Sequence, residues 1–152
     1  MESGISLDQR ARHVRAASLI GLVVASLFSV FNLLTPGMLA LGLAEIAAVL
    51  LLVAPALWLS HRPAHVVLAE TLLLLSAWVI FGALIVVGGI EGTGLFWVYT
   101  VPFLAFFLKG ERQGWLYSLG FLALVALYLA AVPLSWTGVY HFSPVVSIHF
   151  VL

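Results

Sequence analysis

Residues 88–115 read GGIEGTGLFWVYTVPFLAFFLKGERQGW. Glycines and a glutamate lead into an aromatic run carrying Pro102, and a compact charged cluster follows. Two readings compete: a loop that cradles phosphate, or a membrane-crossing element with unusual ends. A P-loop needs a Lys-Ser/Thr pair after its last glycine, and a dinucleotide loop needs a strand before it; neither is present. Gly88 and Gly89 instead suit the stop of a preceding helix, and Thr93 suits the cap of the next, with Glu91 near its positive end. The apolar stretch 95–108 covers roughly 21 Å, short of a hydrocarbon core about 30 Å thick. It therefore either crosses with local thinning of the bilayer or dips in and returns.

The rest of the chain decides the solvent. Of 152 residues, 64% are hydrophobic and 8% charged, and mean hydropathy is +1.21. Soluble chains run about 45–50% apolar and about 25% charged, so a chain this short and this oily belongs in a bilayer. The formal net charge of zero leaves no basic field for nucleic acid. With no cysteine, disulfides, thiolate metal sites, Fe–S clusters and thiol catalysis are excluded.

Six segments are long or apolar enough to count: 14–34, 38–60, 66–87, 95–108, 113–132 and 143–152. Thr35-Pro36-Gly37 separates the first two, and His61-Arg62-Pro63-Ala64 the next two. The first exceeds a signal-peptide core and lacks a cleavage site after it, so it reads as a retained helix behind a cytoplasmic segment 1–13. The sixth is too short to span, and is expected to continue inward beyond residue 152. With a cytoplasmic N-terminus and every segment crossing, the inner side receives Arg10, Arg12, Arg15, Arg62, Lys109 and Arg112, which are all the Lys and Arg in the chain. This is the positive-inside pattern, and a re-entrant fourth segment would break it. Trp58 and Trp115 then fall near the inner interface, and Trp97 and Trp136 near the outer one. The expected fold is an all-α polytopic bundle of six transmembrane helices, the last truncated, with a cytoplasmic N-terminus and Pro102 as a kink.

Ionisable residues inside a bilayer are functional candidates by default. Glu45 lies in the outer half of the second segment, and Asn32, Tyr99, Thr100 and His149 lie at comparable depth, with Trp97 close by. They suit either a pocket for a small ligand or a proton, with Glu45 and His149 titrating, or an interhelical network that orients the bundle. Glu70, with Thr71 and His65, forms a second, inner-leaflet candidate, where pairing with Arg62, Lys109 or Arg112 is the more economical reading. The histidines do not lie at one depth on facing helices, which argues against bis-histidine haem b within one chain; a single haem ligand or an intersubunit site stays open. No Ser–His–Asp, HExxH or paired-carboxylate arrangement is present, so no catalytic residue and no metal site is assigned.

Three stretches together resemble the membrane-embedded sensor region that precedes GGDEF output domains in bacterial diguanylate cyclases, and sometimes kinase modules. They are FNLLTPGMLALGLAEIAAVLLL with Asn32, Gly37 and Glu45, the opening GGIEGTGLFWVYTVPFLAFFLKG, and VYHFSPVVSIHF. The resemblance implies a six-helix sensor, as a homodimer, whose last helix passes a signal to a cytoplasmic catalytic domain and so controls cyclic-di-GMP. A small transporter or transporter subunit, and a haem- or quinone-binding protein, are the alternatives from other classes.

Overall fold

A computed structural model describes residues 6–88 and 90–131, the side chains of 90–92 excepted. They are helical, and four stretches are long and apolar enough to cross a membrane: Leu7–Leu34, Leu39–Leu59, Pro63–Val87 and Thr93–Ala131. Helices α1 (Leu7–Leu34), α2 (Leu39–Leu59), α3 (Val66–Val87) and α4 (Thr100–Ala131) are used below. The chain divides into two compact units, Met1–Ile80 and Phe81–Leu152.

In the first unit, α1 begins seven residues before the apolar segment that announces it. The Ser6 hydroxyl accepts from the Gln9 backbone N–H at 3.3 Å, and Asp8 occupies the first turn, where a negative charge favours the helix dipole. The 28-residue helix is about 42 Å long, so its polar first turns extend past a core about 30 Å thick. Ala11, Val14, Ser18, Ser29 and Asn32 form its buried stripe, mostly small residues that let helices approach in lipid. Ile20, Val23, Leu27, Phe31 and Leu34 stay exposed, as a lipid-facing side should.

Pro36 and Gly37 (φ 82°) end α1 and reverse the chain. Thr35 closes the turn by donating its hydroxyl to Phe31 O at 2.8 Å. Within α2, residues Val49–Val53 form a π-turn in which the Ala54 N–H reaches Val49 O, five residues back. Pro55 follows directly; its ring would crowd the carbonyl four residues earlier in a regular α-helix, and the wider turn relieves this. Pro63 excludes Arg62 from helical geometry (φ −118°, ψ 106°), and a 3₁₀ turn, Pro63–His65, leads into α3.

In the second unit, Gly88 (φ 86°) stops α3, its N–H meeting Leu84 O at 2.9 Å. A 3₁₀ helix then runs from Ile90 to Tyr99. Thr93 therefore lies inside helical backbone and is not the cap expected of it. Gly94 donates to Gly88 O at 3.0 Å, and any Cβ there would overlap Leu84 O. Trp97 stacks on Phe81 with ring centroids 5.9 Å apart and 9° between planes.

The expected fourth and fifth helices are one helical stretch, broken at a single residue. Gly110 (φ 71°, ψ −176°) occupies backbone space that only glycine enters readily. In a straight helix, residues eight apart lie about 12 Å from each other. Here a Cβ on Gly114 would lie 3.0 Å from Phe106 Cα, and the Phe106 and Trp115 rings meet edge-to-face at 5.2 Å. The chain folds back at Gly110, and arms 100–109 and 111–131 pack side by side. The six helices anticipated are thus replaced, among the described residues, by four membrane-length stretches, the last of them doubled back. Pro102 sits in the first turn of α4, where it is tolerated, and the break comes at Gly110. The expected sixth segment, 143–152, lies outside the described residues.

Candidate functional site

The α1–α2 turn brings two polar residues of the membrane interior together. Gly42, one turn into α2, faces Leu33 so closely that an added Cβ would come within 2.9 Å of Leu33 N. This approach carries Glu45, one turn further along the same face, onto Asn32. The Asn32 amide donates to both carboxylate oxygens of Glu45, at 3.0 Å to Oε1 and 2.9 Å to Oε2. Glu45 is 4% exposed and Asn32 7%, so the pair is sealed from solvent. Among the described residues Asn32 is the polar partner of Glu45, and no ion pair reaches it. Residues 16–34 of α1, the element packed on this part of α2, hold no ionisable group.

The opposite end of the first unit holds a different cluster. Glu70, five residues into α3, is buried and accepts a two-pronged bond from Arg10: Nε to Oε1 at 3.0 Å and Nη2 to Oε2 at 2.7 Å. Arg10 is a partner outside the three cations expected, Arg62, Lys109 and Arg112. Arg10 was hidden because hydropathy begins the first helix at Val14. The Ser6-x-x-Gln9 signature was the signal that could have placed Arg10 on a helix, beside Ala11 and Val14. One turn further, Arg15 donates to Ser60 O at 3.3 Å, tying α1 to the end of α2. His65 is exposed in the 3₁₀ turn.

The other candidates fall in the second unit or beyond the description. Trp97 and Tyr99 are largely exposed, and Thr100 opens α4 partly buried. Their placement relative to Glu45 belongs to no single unit. His149 lies outside the described residues. Among the described residues no group of three His, Asp or Glu gathers as a metal site would require.

The described residues form apolar helices of membrane length with two buried acids, Glu45 and Glu70. Comparison with protein families matches residues 6–152 to MASE6. The chain belongs to the MASE6 family. MASE domains are membrane-associated sensor regions found in GGDEF and EAL proteins, so the resemblance carried by the three sequence stretches holds at the level of the family. A MASE6 domain is a sensory membrane domain and not a catalytic one. No curated protein and no solved structure matches this MASE6 chain.

Proposed function

We propose that this MASE6 domain senses through the Asn32–Glu45 pair and reports to a cytoplasmic output domain, a diguanylate cyclase, through its last helix. The observation that supports this is a carboxylate buried between two membrane helices whose described polar partner is one amide. A buried charge in hydrocarbon is normally matched by a cation, a proton or a ligand. Such an acid changes its interactions whenever a proton or a cationic group of a small ligand arrives. A change in the α1–α2 hairpin would then favour one arrangement of the bundle, provided the stimulus binds that arrangement better. The domain would lie in the bacterial inner membrane as a homodimer with a cytoplasmic N-terminus. It would cross six times, the Gly110 hairpin supplying two crossings and the segment after 132 the last.

The test uses the full-length protein in native membranes, with cyclic-di-GMP as the readout. Glu45→Gln and Asn32→Ala should each shift basal output by about tenfold, because a bond to a charged group contributes about 1.5–3 kcal/mol and acts here on one state only. Ser29→Ala, on the same face of α1, should leave output unchanged. Output indifferent to Glu45→Gln in a protein that still assembles would overturn the pair as the sensing element.

A further inference from the structure

The inner end of α2 carries an arrangement that neither the sensing pair nor the Glu70 clamp uses. Trp58 is the penultimate residue of a membrane-length helix and is 62% exposed. Tryptophan at that position sits at the level of the phospholipid headgroups. The Arg62 guanidinium lies over its ring, 5.1 Å from the centroid, at attractive cation–π distance. A cation–π contact uses none of the N–H donors, so the fork that matches two oxygens of a phosphate stays available. Among the described residues Arg62 has no carboxylate or carbonyl partner for its side chain.

A second cation is carried by the facing end of α1. The Arg15–Ser60 bond holds α1 against the end of α2, and α1 also meets the Pro63–His65 turn. Arg12 lies almost one turn before Arg15, on the water side of that contact, and is exposed with no side-chain partner among the described residues. Arg10 is committed to Glu70 and Arg15 to Ser60, so the free positive charge of this corner rests on Arg12 and Arg62. Asp8, one turn before Arg12 on α1, forms no ion pair among the described residues.

We propose that Trp58, Arg62 and Arg12 form a binding site for the phosphate of an anionic phospholipid at the α2–α3 turn. Depth selects a lipid, because the indole and the guanidinium share the headgroup layer. Charge selects an anionic one, because two cations to which no carboxylate is bonded among the described residues match a net negative headgroup and disfavour one that carries its own ammonium. The site does not depend on the sensing role of Glu45.

The full-length protein is purified and reconstituted into vesicles of phosphatidylcholine alone or with phosphatidylglycerol, and a detergent sample receives inorganic phosphate. Thermal midpoint and lipid retained in native mass spectrometry are read. Phosphatidylglycerol should raise the midpoint of the wild type and be retained, while inorganic phosphate should do neither. Arg62→Gln should weaken retention about fivefold to tenfold and abolish most of the shift, Arg62→Lys should keep part of it, and Arg12→Gln should lose less. Arg112→Gln, in the other unit, should behave as wild type. In phosphatidylcholine alone all variants should melt with the wild type, because Arg62 shapes its turn through its backbone. Equal losses in Arg62→Gln and Arg112→Gln would mean diffuse attraction and no site. Equal stabilisation by phosphatidylcholine, or by inorganic phosphate, would overturn the assignment as well.

Discussion

Glu45 and Glu70 are both buried acids, yet the chemistry around them separates their roles. Glu70 has a guanidinium holding both oxygens and behaves as a clamp between the start of α1 and α3. Its side chain is 2% exposed against 34% for Arg10, and that asymmetry sets a prediction. Arg10→Ala takes two charge-assisted bonds from a buried carboxylate, whereas Glu70→Gln releases a part-exposed arginine that can turn to water. Arg10→Ala should therefore destabilise by about 2–3 kcal/mol, the value for a buried pair discounted for the exposed partner, and Glu70→Gln by about 1 kcal/mol. Unfolding in mixed micelles orders the two; the reverse order would remove the clamp. At the other end, Asn32→Ala should cost about 1–3 kcal/mol by leaving Glu45 without its donor, and Glu45→Gln should cost less because the amide still offers an acceptor to Asn32. The double variant Asn32→Leu with Glu45→Met should recover most of the loss in stability, since replacing both partners by apolar groups removes the stranded group altogether. It should not recover signalling, and that separation distinguishes a sensing pair from a packing pair.

Elements in this chain are joined by glycines of two physical kinds. Gly37 and Gly88 end helices at positive φ, and both could be read from sequence as turn residues beside a Pro or a second Gly. Gly42, Gly94 and Gly114 are close-approach positions, which carry no local signature because the neighbour lies in a different turn or helix. Gly110 is a third case: a turn of one residue inside a cluster of helix formers, KGERQG, that composition alone reads as an exposed loop. The helical segments were legible because lipid demands long apolar runs, whereas the faces they bury were not, since nearly every position is apolar. The junctions were less so: the Ser6 cap, the 3₁₀ run before Tyr99 and the π-turn before Pro55 involve too few residues to alter hydropathy. The Asn32–Glu45 pair was half legible, as two polar residues at one depth, while their contact depended on Gly42. Gly42→Ala should push α2 from α1 at Leu33 and cost about 1–3 kcal/mol, and with it the Asn32–Glu45 bond. Gly110→Ala should cost a similar amount through backbone strain alone and leave that bond intact. Thermal unfolding gives the two costs, and the infrared signature of the Glu45 carboxyl group separates the mechanisms. A shift of that band in Gly110→Ala but not in Gly42→Ala would invert the argument.

At the scale of the molecule, the question is which way the bundle faces, and charge gives the working answer. Arg10, Arg12, Arg15 and Arg62 gather at the end of the first unit where α1 starts, α2 ends and α3 begins. Lys109 and Arg112 flank the Gly110 turn of the second. The Thr35-Pro36-Gly37 turn at the far end of the first unit is free of Lys and Arg. On the proposed topology, positive-inside bias would put the N-terminus and the Gly110 turn in the cytoplasm, and the Pro36 turn outside. Because the chain has no cysteine, single cysteines can report on this directly. Cysteine at Arg12 or Glu111 should resist a membrane-impermeant maleimide in whole spheroplasts and react after lysis, whereas cysteine at Pro36 should react in both. The three positions do separate work. Position 36 reports the direction of the α1–α2 hairpin, and position 12 checks it from the other end. Position 111 decides whether the second unit obeys the same rule, which neither unit alone can reveal. Labelling of position 111 from outside, with position 12 protected, would leave the first unit as assigned. It would mean an odd number of crossings between residues 12 and 111, so that the stretch before Gly110 dips and returns on the outer side, contrary to the charge pattern. Protection of both, with position 36 exposed, is the outcome the arginines and lysine require.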